Sequence, residues 1–142
     1  MKTVAFVLRD HRDQLWRRWA DTLDERVAPD YRELVSSPLG EKMVRTLLDD
    51  LCSSSEAEEY EVPALLRQAE ERFAVDASYR LSLGFALTDM VGALQGLRGA
   101  IIDVLVDALV LDELPSFTDT LIQLRRVDDF LDRMVRATIT AV

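Results

Sequence analysis

The chain has 142 residues, 17 of them basic and 26 acidic, for a net charge of −9; 49% are hydrophobic and 30% charged. That length fits one domain, 1–142, with an ordinary core, and the composition is globular, not disordered. The acidic balance argues against a duplex-binding protein, which needs clustered Lys and Arg, and against docking on an anionic membrane.

The first helix is predicted from about Thr3 to Val27. Leu8, Leu15, Trp16, Trp19, Leu23 and Val27 form a stripe at spacings of three and four, with Arg9, Arg12, Asp13, Arg17, Arg18 and Asp24 mostly outside it. Pro29 punctuates the chain, and a short helical turn from Asp30 to Val35 follows, with Asp30 as a candidate cap. Ser37-Pro38 opens the next helix, since Ser accepts from orphan backbone donors and Pro suits the first helical position. Its inward face is Leu39, Met43, Leu47, Leu48 and Leu51. Gly40 costs about 1 kcal/mol against Ala in such a helix, which points to close packing or fraying. A polar loop is expected from Cys52 to about Tyr60.

Val62-Pro63 opens a third helix with Leu65, Leu66, Ala69 and Phe73 on its apolar side. A break is expected near Val75-Asp76, with Asp76 or Ser78 capping a long helix that runs to about Leu111. That helix holds Gly84, Gly92, Gly96 and Gly99, four of the chain's five glycines. Small residues at such spacings let another backbone approach closely, and they also permit a kink; Gly92, Gly96 and Gly99 are the candidate packing positions. Asp89, Arg98, Asp103 and Asp107 recur through the run, so it reads as a buried core helix and not as a membrane span. After the turn Asp112-Glu113-Leu114-Pro115, Ser116 or Thr118 caps a last helix to Val142. Leu121, Leu124, Leu131, Val135 and Val142 fit an a/d register there, and Leu121, Leu124, Leu131 and Val135 are the candidate dimer and relay face. An ordinary core stripe is the alternative, because two clean heptads fall short of a coiled coil.

No segment alternates with period two, no hairpin dipeptide occurs, and no repeat of 20–50 residues is present. The fold class is all-α with five to six helices, globin-like or a helical bundle, with a long glycine-containing helix and a long C-terminal one. The last helix carries no Gly, Pro or polar tail before Val142. Helices normally close with such signals, so it is expected to continue into a further segment.

Chemistry is sparse. Cys52 is the only cysteine and His11 the only histidine, so no intramolecular disulfide and no zinc site of the common types is expected. One cysteine and no signal peptide favour a cytoplasmic location. There is no phosphate loop and no Gly-x-Ser-x-Gly elbow, and a single histidine excludes a di-iron bundle. A histidine phosphotransfer bundle has a basic residue and a glycine after its histidine, whereas His11 precedes Arg12-Asp13-Gln14; it reads as a surface residue. A haem globin needs a histidine late in the chain, so no cofactor is expected. Trp16 and Trp19, three apart on one helix, read as core, with a pocket lining as the sharper option.

The order Leu15-Trp16-Arg17-Arg18-Trp19-Ala20, Tyr31-Arg32-Glu33-Leu34, Pro38-Leu39, the long 79–111 helix and a final helix resembles the N-terminal sensory domain of RsbR-type stressosome proteins and related bacterial sensor histidine kinases. The resemblance spans most of the chain. It implies a haem-free, globin-like, dimeric input domain without catalytic residues, upstream of a STAS or kinase module. The expected role is therefore signal input, non-enzymatic, relayed through the last helix. The alternative is a free-standing helical adaptor that binds a partner protein.

Overall fold

A computed structural model describes residues 3–23, 27–111, 113–114 and 117–141. All regular structure among them is helical, in seven helices rather than five to six: α1 Val4–Asp10, α2 Arg12–Thr22, α3 Pro29–Ser36, α4 Pro38–Glu56, α5 Val62–Ser82, α6 Leu87–Val110 and α7 Phe117–Thr140. The all-α expectation holds. Asp24, Asp112, Pro115, Ser116 and Val142, named above, lie outside the described residues.

The extra elements come from two breaks. Thr3 caps α1, its side chain accepting from the Phe6 amide. At His11 the backbone leaves helical geometry (φ −102°, ψ 22°), which divides the expected first helix into α1 and α2. The break is local, because His11 N still donates to Val7 O and Leu15 N to His11 O.

The second difference is larger. No break occurs at Val75-Asp76; α5 runs through it to Ser82. The stop is at Gly84, whose φ of +96° is the left-handed conformation that favours glycine. Gly84 N donates to Leu81 O and Phe85 N to Arg80 O, the paired 5→2 and 6→1 bonds of a Schellman cap. Gly84 therefore ends α5 and does not lie inside the long helix. The short Ser37 cap is as expected: its side chain accepts from Gly40 N, and Pro38 occupies the first turn. The polar run from Cys52 stays helical to Glu56, with Ser54 and Ser55 hydroxyls donating to Leu51 and Cys52 carbonyls.

α6 sits deepest. Met90, Ala93, Leu94, Leu97, Ala100, Ile101, Val104, Leu105 and Ala108 are all buried along it. It packs on α2, α7 and α1, while α5 lies along α7 and α4 meets α1, α3 and α5. No helix among the described residues is long and apolar enough to cross a membrane.

α7 binds distant parts of the chain together. Gln123 Oε1 accepts from Val4 N at 2.8 Å, across 119 positions. Arg126 Nη1 donates to the Ser55 carbonyl at 2.8 Å and to Ala57 O at 3.4 Å, a cation on the orphan carbonyls at the end of α4. Arg98 of α6 pairs with Asp128 at 2.6 Å and Asp132 at 2.5 Å on α7.

Cys52 is fully buried, and its Sγ donates to Ala5 O at 3.6 Å. Burial pushes the thiol up from 9.0 to about 11; Arg9 lowers it, and Glu56 and Asp49 raise it. An acid whose native value is raised ionises first in the unfolded chain, so its contribution to stability is complete below pH 9 and is lost as pH climbs toward 11. Urea unfolding between pH 8 and about 11 is expected to show this loss, and Cys52→Ala is expected to make the decline shallower. An unchanged slope in the variant would refute the assignment.

Candidate ligand cavity and helix-pair face

Between α2, α3, α4, α5 and α6 the packing leaves a mostly apolar cavity of about 320 Å³. Trp19 lines it from α2, Tyr31 and Leu34 from α3, Met43 and Leu47 from α4, Ala69, Phe73 and Arg80 from α5, and Met90, Ala93, Leu94 and Leu97 from α6. Volumes of a few hundred Å³, apolar with few polar groups, are typical of small-molecule sites.

Both walls at the α5–α6 corner follow from the Gly84 cap. It reverses the chain and delivers Phe85 to the cavity, where its ring meets Tyr31 edge-on, centroids 5.4 Å apart at 83°. Asp89, in the first turn of α6, accepts from Ala28 N at 3.0 Å and so fixes the start of α3 against α6. This aspartate is an interhelical tie, as is Asp107, which pairs with Arg18 at 3.4 Å.

Trp19 is 4% exposed, and its Nε1 donates to the Ala93 carbonyl at 2.7 Å. Trp16 is half-buried and donates to Val35 O at 2.9 Å. Of the tryptophan pair, then, Trp19 lines the cavity and Trp16 ties α2 to α3. Gly96 is buried under α2: a Cβ there would stand 2.7 Å from Leu23 Cδ2 and 3.7 Å from the Trp19 ring. Gly99 is exposed and a Cβ there would meet nothing within 4 Å, so it is not a packing position. Gly92 is half-buried.

The buried charged group of the cavity lining is Arg80. It is 8% exposed and is the sole charged side chain buried among the described residues. Its Nη1 reaches only the Met43 sulfur at 3.4 Å, and its guanidinium stands 5.5 Å from the Phe73 ring centre. Its Nε is buried with no hydrogen-bond partner. Among the described residues no carboxylate pairs with it. Of the two in the lining, Asp50 is held by Arg72 at 2.6 Å and Asp76 is exposed without an ion pair. Burying an unpaired cation is expensive. Tyr31 feels it: burial raises the phenol above its usual value, the Arg80 charge offsets part of that, and Asp89 adds to it.

Arg80 was not singled out in the sequence. A signal existed, because Leu66, Ala69, Phe73, Ala77 and Arg80 continue one helical stripe at spacings of three and four. The stripe was cut by the break expected at Val75, which is 69% exposed and lies on the opposite face.

A second, open groove lies between α6 and α7, lined by Ile102, Val106, Leu109, Leu121, Ile122 and Leu124 among others. The expected relay face divides here. Leu121 is 46% exposed, Leu124 and Val135 are half-buried against the core, and Leu131 is 1% exposed. Leu131 is therefore a core residue and not part of an outer face. The exposed apolar positions of α7 are Phe117, Leu121, Ile122 and Ile139; Phe117 and Leu121 belong to the a/d register, and Ile122 and Ile139 lie outside it.

Among the described residues no group of three His, Cys, Asp or Glu side chains is placed to hold a metal. His11 lies between α1 and α2, one third exposed, with Nδ1 3.2 Å from Gln14 Oε1 and Nε2 3.8 Å from Glu113. Comparison with protein-family models, with curated proteins and with solved structures found no match.

Proposed function

We propose that this chain is a non-enzymatic, cytoplasmic sensory input domain of a bacterial signal-transduction protein. It takes its signal in the α2–α6 cavity and passes it through α7 to a kinase or STAS output. One observation carries this reading: α5 is shared. Its Ala69, Phe73 and Arg80 line the cavity, while the same helix runs along α7 and Glu70 pairs with Arg133 of α7 at 2.9 Å. An occupant that displaces α5 must shift α7, since packed helices move by sliding as units. The exposed apolar groove of α6 and α7 is the surface on which two copies would join, and sensory domains with the resemblance described above are dimers.

Filling the cavity tests this without a ligand. Ala69→Leu adds bulk to the α5 wall. Backbone hydrogen exchange across residues 117–140 is expected to change several-fold relative to wild type, with exchange in α1 unaltered. A folded variant with unchanged α7 exchange would overturn the relay. In the same samples, light scattering is expected to give a dimer mass that falls to that of a monomer in Leu121→Asp/Ile122→Asp. Both positions are exposed, so this substitution spares the core.

A further inference from the structure

We propose that the cavity is a receptor site for an organic monocarboxylate with an apolar body, its carboxylate held by Arg80. The inference rests on the sensory reading above for its purpose and names the ligand class of that site.

Three observations converge. The space is apolar and of small-molecule size, about 320 Å³. A water molecule occupies about 30 Å³ of liquid, so the space suits a body of several carbons and not a lone ion. Arg80 is the buried charge in the lining, and the structure gives it a thioether and a ring face in place of an anion. Its Nε is a buried donor with nothing to donate to. A planar guanidinium with free donors matches a carboxylate through two parallel hydrogen bonds.

The charge pattern agrees. The protein as a whole carries −9, yet the charged lining residues are Lys42, Asp50, Arg72, Asp76 and Arg80, a local excess of one positive charge. With Asp50 held by Arg72, a neutral apolar ligand would leave Arg80 uncompensated. A cation would be repelled. A monoanion with a hydrocarbon or aryl body satisfies both the charge and the walls.

Calorimetric titration of the whole chain tests this with octanoate, 3-phenylpropanoate, 1-octanol and sodium phosphate, each organic probe below its micellar concentration. At least one of the two carboxylates is expected to bind ten-fold or more tightly than octanol, and phosphate not at all. The comparison of octanoate with phenylpropanoate separates an alkyl from an aryl body. Arg80→Met is expected to lose ten-fold or more in carboxylate affinity, to leave octanol affinity unchanged and to melt no lower than wild type, because it removes an unpaired buried charge. Arg80→Lys, which keeps charge but not the fork, is expected to fall between. Equal binding of carboxylate and alcohol by the wild type, no binding of either carboxylate, or undiminished carboxylate binding by Arg80→Met would each overturn the proposal. Carboxylate binding with unaltered α7 exchange would sink the relay and leave this inference standing. Absent carboxylate binding, with α7 exchange still shifted in Ala69→Leu, would do the reverse.

Discussion

Gly40→Ala is expected to destabilise the protein by about 4 kcal/mol or more, among the large effects for a single methyl group. Gly40 lies in the first turn of α4, fully packed against the end of α3. A Cβ there would overlap the backbone carbonyl and Cα of Val35. These are main-chain atoms, so no rotamer change relieves the clash; α3 and α4 would have to separate. The corner leaves little slack, because Ser37 N and Oγ both donate to Leu34 O, at 3.2 and 2.5 Å. The sign makes the measurement decisive. Without the clash, alanine would stabilise a helix by about 1 kcal/mol over glycine. Urea unfolding followed by circular dichroism reads the difference, and a stabilised variant would refute the close approach of α3 and α4.

Trp19→Ala is expected to cost about 3–5 kcal/mol, the range for removing a large buried aromatic side chain. Trp19 is nearly enclosed between α2 and α6 and abuts the groove that Gly96 leaves. Its loss would enlarge the existing cavity, and residual cavity volume is what raises such costs. The lost indole bond to Ala93 O adds less, because that carbonyl lies inside α6 and retains its helical role. Trp19→Phe separates the contributions: it keeps most of the packing, loses the donor and is expected to cost about 1–2 kcal/mol. Trp16→Ala, at a half-buried position, is expected to cost less than Trp19→Ala. Equal costs for the two alanine variants, in the same urea experiment, would refute the distinction between them.

The helix starts were legible because their chemistry is local. Ser37-Pro38 and Val62-Pro63 each mark an N-terminus through a missing donor and a fixed φ, and α4 and α5 begin there. The α5 stop was not, because an apolar run continues across it. Leu81 through Phe85 reads as more helix until Gly84 is recognised as the residue that adopts positive φ, followed by the apolar C″ residue Phe85 that a Schellman cap favours. That one misplacement separated Arg80 from the stripe to which it belongs, and with it the polar anchor of the cavity. The kink at His11 had no legible signal, since neither Gly nor Pro is nearby. The pocket side of Trp19 was legible only as an option, because a stripe on one helix does not say what faces it. Leu131 fits both an a/d register and an ordinary core stripe; it is 1% exposed, so the core stripe holds there, and the pattern of one helix does not say which neighbour covers it.

The Val4–Gln123 hydrogen bond and the Arg126 clamp on Ser55 have a consequence for synthesis. At about 5–20 residues per second, the amide at the start of α1 waits on the order of ten seconds for its acceptor to be made. The carbonyls closing α4 wait likewise for Arg126, and α5 for the helix that covers its flank. Until α7 leaves the ribosome, the apolar sides of α5 and α6 that it covers stay open to chaperones and to aggregation. Folding is therefore expected to complete late and nearly at once. The final helix acts as the closing strap of the whole domain before it can act as anything else.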